Sequence, residues 1–385
     1  MGRRFLLLSL LLGCSTPSPT PDAALPDDAG TDAPTPLVCT APATPTPLVV
    51  TADWMARSLT LLSLARVLDP GCTADDARIG TIDLAAWAPG PIELRITPDG
   101  RTAVVAVGPG FFTGSGAGLV GNPSPELDGA LLLVDLVDRT VMEIAIANAP
   151  MGIAIAPDGA RAYVAEMGFT GAVGHQIAVI DLAARTLLSE VEVGNSPEEI
   201  ALSADGTVGA LAVDGLGQVR VFRTADIAGS LTAPFATGSD PSGLTFVPGT
   251  MRFVITNSLS STFSIVDVAD PASPQVIASP RSVSPVPYGA SWIPGTTDVL
   301  LTTGVPAALV RVSATDPSVA PTRISLSGGG FPLGVAITSD AHHALVAHAQ
   351  RRVLSVVDLT NDTVHTLSWL SAPGPMYVAI QPTPP

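Results

Sequence analysis

The chain has 385 residues, a formal charge of −16 and no lysine, so its 18 cations are all arginine. An acidic surface without a basic stripe excludes nucleic acid as a partner, because phosphate binding needs clustered cations. Apolar residues make up 46% of the chain, enough for a sizeable core, while 36 Gly and 37 Pro exclude a helical bundle and favour many short strands joined by turns.

In chain order, the first segment is MGRRFLLLSLLLGC, with a basic start (Arg3, Arg4) and an apolar core from Phe5 to Leu12. That core is too short to span a bilayer and reads as a signal segment over residues 1–13. Its end, Leu11-Leu12-Gly13-Cys14, resembles the lipobox of bacterial lipoproteins. The resemblance implies cleavage before Cys14, lipidation of its thiol and new amino terminus, and a membrane partner reached through that lipid. Ser15 follows in place of Asp, which implies an outer-membrane address in a Gram-negative envelope, on its periplasmic or surface side. The alternative is a plain secretory signal in which Cys14 is incidental.

Residues 14–47 are rich in Pro, Thr, Ala and Asp and lack a hydrophobic period, so they read as a flexible tether. From Cys14 to Cys39 an extended Pro-rich chain reaches roughly 75 Å. An exported chain meets an oxidising compartment, where Cys39 and Cys72 are expected to pair. That bridge would be worth about 3 kcal/mol in the chain-entropy model. Two cysteines without nearby histidines make a poor metal site.

From Leu48 to the end the chain repeats. Copies start at Pro91 (PIELRITPDG), Pro150 (PMGIAIAPDG), Pro197 (PEEIALSADG), Pro241 (PSGLTFVPGT), Pro287 (PYGASWIPGT), Pro332 (PLGVAITSDA) and Pro375 (PMYVAIQPTP). Each unit reads as strand a, an Asp-Gly or Pro-Gly turn, strand b (AYVAE, FVITN, ALVAH), strand c (QIAVIDL, TFSIVDV, VLSVVDL) and strand d. A period in the forties with four strands per unit is a propeller signature. The seventh copy has only strand a. LVVTADW, LTLLSLARV and IGTIDLAAW near Leu48 read as strands b, c and d of the same blade. The expectation is an all-β, seven-bladed β-propeller over residues 48–385, closed by a blade shared between the two ends of the chain, which leaves no open sheet edge. A β-solenoid is the alternative, and it has no need of a split unit.

The unit FVITNSLSSTFSIVDVAD (Phe253–Asp270) resembles the YVTN-repeat propellers, a bacterial group related to the lactonase-like and cytochrome d1-type propellers. The resemblance spans Leu48 to about Gln381. It implies a fold and is weak for function, since propellers host unrelated activities.

Strand a is expected to line the axis, where crowding favours small residues at the second place after the Pro. Gly152, Gly243, Gly289 and Gly334 fit; Glu93, Glu199 and Tyr377 do not. At the fourth place Ala, Thr or Ser gives way once, to Arg95, two residues from Glu93 and on the same strand face. Glu93, Arg95, Glu199 and Tyr377 are therefore candidate ligand-binding residues at the channel mouth, on the face where the d–a and b–c loops emerge. The same residues also read as a water-filled funnel with a structural Glu–Arg pair. Two long b–c loops add Phe111, Phe112, Phe169 and His175 as candidate partner-binding residues, with Glu126 beside them.

Other motifs read as structural. Gly116, Gly118 and Gly121 satisfy GxGxxG but are followed by a loop, not the helix a dinucleotide site needs. His342 and His348 lie about 20 Å apart along a strand and cannot share an ion. Asp135, Asp181, Asp267 and Asp358, at the ends of four c strands, are expected to accept turn N–H groups. No catalytic set, cofactor or metal is expected, and the ring is expected to be a monomer. The first functional expectation is a non-enzymatic, envelope-anchored module that binds a protein, peptide or envelope ligand. The alternative is a lactonase-like hydrolase at the channel mouth, with Glu93 or Glu199 as its base.

Overall fold

A computed structural model of the chain describes residues 37–44, 47–108, 129–168, 174–213, 217–349, 351–369 and 375–382. Seven four-stranded antiparallel sheets stand around one axis. Blade 1 runs outward from Tyr377–Ile380 through Leu48–Asp53 and Ser58–Ser63 to Arg78–Asp83. The other blades follow in chain order, with inner strands Pro91–Ile96, Pro150–Ile155, Pro197–Leu202, Pro241–Val247, Pro287–Trp292 and Phe331–Ile337 in blades 2 to 7. Both the seven-bladed ring and its split closing blade match the sequence expectation.

Closure has a clear physical source. Strands b and c are Val-, Ile-, Leu- and Ala-rich and apolar on both faces, so each sheet must be covered twice. Seven buried apolar clusters fill the seven gaps between neighbouring blades. The cluster between blades 7 and 1 joins Leu345 and Leu354 to Leu62 and Val378. Each fully buried aliphatic side chain there contributes about 1.5–3 kcal/mol of transfer free energy. The seam is also tied by Gln381, whose Oε1 accepts from Leu48 N (3.0 Å) and whose Nε2 donates to Gly100 O (2.7 Å).

Five a–b turns carry Gly at positive φ (Gly100, Gly159, Gly206, Gly249, Gly295), where a side chain is strained. In blade 7 the place is held by Ala341 at φ 61°.

Two local expectations differ. LARV does not continue a strand: after Ser58–Ser63 it forms helix α1 (Leu64–Leu68), followed by α2 (Ala74–Ala77). A short apolar run has no period long enough to tell helix from strand. The end of the expected tether is also held against the ring. Asp69 accepts from Thr40 N (3.0 Å) and Ala41 N (2.9 Å), and Ser63 Oγ accepts from Thr44 N (3.2 Å). Cys39 and Cys72 form the expected disulfide beside these bonds.

Candidate functional site

Every inner strand of blades 2 to 7 opens with a β-bulge just after its leading residues, so two residues there face one on strand b. The bulge breaks simple alternation and sorts the axial side chains into layers. The first-place residues Ile92, Met151, Leu333 and Met376 are buried and pack together, with Tyr288 against them. They come from five blades, so this cluster forms across the axis and fills it near the d–a loops. Tyr288 also spans the axis to donate to Glu198 Oε1 (3.0 Å).

The second-place glycines explain how the ring closes so tightly. A Cβ on Gly243 would lie 1.9 Å from Tyr288 O, and one on Gly289 would lie 2.2 Å from Leu333 O. Glu93, Glu199 and Tyr377 replace glycine in blades 2, 4 and 1, and all three meet Arg95. Its Nη2 lies 3.0 Å from Glu93 Oε1 and 3.5 Å from Glu199 Oε1. Its Nη1 donates to Tyr377 Oη, and the guanidinium carbon stands 4.9 Å from the Tyr377 ring centre. The structure thus brings the four sequence candidates into one cluster.

The fourth-place residues form the next layer. Arg95, Ala154, Ala201, Thr245, Ser291, Ala336 and Ala379 all line an open cavity of about 630 Å³. Six small side chains make the space and the seventh supplies its charge. Arg95 and Tyr377 form the floor, while Ile96, Ile155, Leu202, Ile337 and Ile380 form the walls and Pro98, Pro157 and Pro382 the rim. These walls and rim belong to the ends of strand a and the a–b turns. The cavity therefore opens on the face opposite the d–a and b–c loops, which corrects the expected position of the mouth. Strand a reaches its fourth place only after running away from the d–a side.

Glu93 and Glu199 do not line the cavity; they hold Arg95 from behind. Burial pushes the Glu93 carboxyl up, against the pull of Arg95 and of Ile153 N, which donates to it (3.2 Å). Burial and the charge of Glu93 push the Glu199 carboxyl well above the usual carboxylate range, against the pull of Arg95. Burial works against the charge of Arg95, but Glu93, Tyr377 and Glu199 outweigh it. The result is a guanidinium backed by two buried carboxyls, both of which burial disfavours as anions. Burial likewise keeps both tyrosines protonated. A guanidinium has five N–H groups. Three serve the contacts above, and two remain among the described residues. Tyr377 accepts from Arg95, which leaves its own O–H to donate.

Glu198 and Tyr288 were not singled out from the sequence. The first place holds Ile, Met, Leu and Ser elsewhere, so a Glu and a Tyr in that column were the available signal.

The remaining candidates lie apart. His175 is half-buried, 4.0 Å from Glu192, on the far face. Phe111, Phe112, Phe169, Glu126, Cys14 and the GxGxxG glycines lie outside the described residues. Asp135, Asp181, Asp267 and Asp358 each accept a turn N–H, from Val137, Ala184, Ala269 and Thr360. His342 is exposed beside Asp340, whereas His348 is buried between Gly329 O (2.6 Å) and Ser355 Oγ (2.8 Å). Asp69 lies near both bridged cysteines, whose sulfurs are already committed to each other.

Solved structures share this fold. A functionally unknown protein from Desulfotomaculum acetoxidans superposes with a TM-score of 0.66 at 14% identity, covering 87% of this chain and 99% of that one. A periplasmic gluconolactonase of Pseudomonas aeruginosa gives 0.65 at 16% identity, covering 88% and 99%. Hydrazine synthase of Kuenenia stuttgartiensis gives 0.60 at 18% identity, covering 76% and 90%. No family model and no curated protein matches the chain. At these identities the likeness shows the propeller and leaves the activity open.

Proposed function

We propose that the protein is an exported, envelope-anchored binding module whose site is the axial funnel. The observation that carries this reading is the fourth-place layer: six small residues hollow out the cavity and Arg95 alone puts a charge in it. Among the described residues, the groups at the floor that remain unengaged are donors, two N–H of Arg95 and the O–H of Tyr377. Donors at the floor suit a ligand with oxygen acceptors such as a carbonyl, ester or sugar hydroxyl. The signal segment and Cys14 support export and anchoring.

Hydrolysis is the weaker reading. A general base has to reach the substrate. Glu93 is 2% exposed and Glu199 9%, and both face the back of Arg95. The similarity to a gluconolactonase supports keeping lactones in the screen.

Calorimetry against a panel of uncharged sugars, esters and lactones tests the site. Binding is expected to weaken about tenfold in Tyr377→Phe and to vanish in Ala201→Trp, which fills the funnel from the exposed wall. Binding unchanged in both variants sinks the funnel as the site, and lactone turnover that Ala201→Trp abolishes restores the hydrolase. Palmitate labelling checks the anchor: label and membrane pelleting should both be lost in Cys14→Ser.

A further inference from the structure

Another cavity, of about 460 Å³, lies between blades 6 and 7 on the face opposite the funnel. Its lining comes from the b–c turn of blade 6 (residues 304–307), from strand d of that blade and from the connection that leads into blade 7 (residues 326–330). Among the described residues the lining holds one charged side chain, Arg323, and no carboxylate, in a chain with 34 acidic residues. Arg323 Nη1 donates to Ser325 Oγ (2.9 Å) and Nη2 to Pro306 O (3.2 Å), which fixes the guanidinium at the cavity. Those bonds use two of its five N–H groups. Arg323 has no ion-pair partner among the described residues.

The connection into blade 7 leaves its own amides open. His348, buried on strand b of blade 7, holds it from below, with Nδ1 2.6 Å from Gly329 O and Nε2 2.8 Å from Ser355 Oγ. A carbonyl only accepts, so Nδ1 carries the proton and Ser355 donates to Nε2. The peptide between Gly329 and Gly330 is trans, so its N–H points opposite to its C=O. With Gly329 O turned down onto His348, the Gly330 N–H is turned away from the blade. Gly329 and Gly330 stand at φ 61° and 71°. A Cβ on Gly328 would lie 3.1 Å from the His348 ring, and one on Gly330 would lie 2.4 Å from Arg351. No described residue accepts from the N–H of Ser327, Gly328, Gly329 or Gly330.

We infer that this cavity is a second binding site, for a phosphate group, free or carried on a small ester. Consecutive free backbone N–H groups beside a guanidinium make a concavity suited to an oxyanion. The donors come from two sides, the loop amides and Ser327 from one and Arg323 from the other. A tetrahedral phosphate can engage both sides at once, whereas a carboxylate offers only two oxygens in one plane. The buried histidine of AHHALVAH thereby gains a purpose, holding the loop that carries the amides.

The test uses the full chain, with inorganic phosphate, glycerol 1-phosphate and acetate as probes. Calorimetry is expected to show saturable phosphate binding that weakens as ionic strength rises. Arg323→Gln should weaken it about tenfold, the loss of one charge-assisted contact. In amide spectra of protein carrying isotope-labelled glycine, phosphate should move the resonances of Gly328, Gly329 and Gly330 and leave Gly159 and Gly206, in turns on the funnel face, in place. Equal affinity for phosphate and glycerol 1-phosphate assigns the site to free phosphate; a tighter ester, weakened by the same variant, assigns it to esters. Acetate binding as tightly as phosphate overturns the ligand class. Absence of binding, affinity unchanged in Arg323→Gln, or loop glycines that do not respond overturns the site. Circular dichroism of Arg323→Gln separates loss of the site from loss of fold.

Discussion

Blades 3, 5, 6 and 7 place glycine at the second position of the inner strand; blades 1, 2 and 4 place Tyr377, Glu93 and Glu199 there. The two groups solve different problems at one structural address. In the glycine blades a neighbouring backbone lies where a Cβ would project, as Glu198 O does at 2.5 Å from Gly152. Those positions make the ring close. In the other three a long polar side chain crosses toward the axis and ends on Arg95. Those positions gather a polar cluster at the axis. Ring geometry thus fixes four of the seven inner strands and leaves three to build a site.

The comparison breaks most sharply at a glycine. Gly243→Val puts a branched side chain against Tyr288 O and should cost about 3 kcal/mol, toward the upper end for overpacking, read as a lower urea midpoint. Unchanged stability would mean that the inner strands are not in contact as described. The polar group gives a smaller, pH-dependent loss. Arg95→Met removes the counter-charge of Glu93 and should cost about 2 kcal/mol at pH 7, below the range for a fully buried pair because Arg95 is one-third exposed. The loss should shrink as pH falls through the titration of Glu93, whose carboxyl burial pushes up. Adding Glu93→Gln to Arg95→Met should restore most of it; no rescue would show that Arg95 acts through packing alone.

A third experiment separates the axial charges from carboxyls buried elsewhere. Burial pushes Asp53 up to about 7, against hydrogen bonds from Thr60 and Thr51, and pushes Glu166 up to about 7 as well. Between their unfolded values near 4 and about pH 7 the folded state holds more protons than the unfolded one. Their contribution to stability is therefore full at acid pH and declines as pH rises through that window. Asp53→Asn and Glu166→Gln should each flatten the decline between pH 5 and pH 7 in urea titrations, without changing binding in the funnel. A slope that persists in the double variant assigns it to Glu93 and Glu199.

The architecture was legible because its cause is local and repeated. A Pro, a short apolar strand and an Asp-Gly or Pro-Gly turn recur, and the orphan copy at Pro375 gives away the split blade. The polar exceptions were legible for the same reason, since Glu93, Glu199, Tyr377 and Arg95 each break a column of small residues. Three features were hidden. The bulge that lets Glu198 and Tyr288 reach the axis has no signature of its own. The face on which the funnel opens depends on how far the fourth place lies along strand a, which no column of residues reports. The docking of residues 39–44 was masked by their Pro- and Thr-rich composition, although Cys39 marked the place.

The blade shared by the two ends has a consequence for how the molecule is made. Leu48 and Gln381 are bonded across 333 positions of chain. Tyr377, the ring of the funnel floor, belongs to the last of the ring's strands along the chain. Until that strand arrives, Leu48–Asp53 presents an unpaired edge, and the slow, long-range step of folding waits for it. Closure of the ring and completion of the cavity floor are then one event.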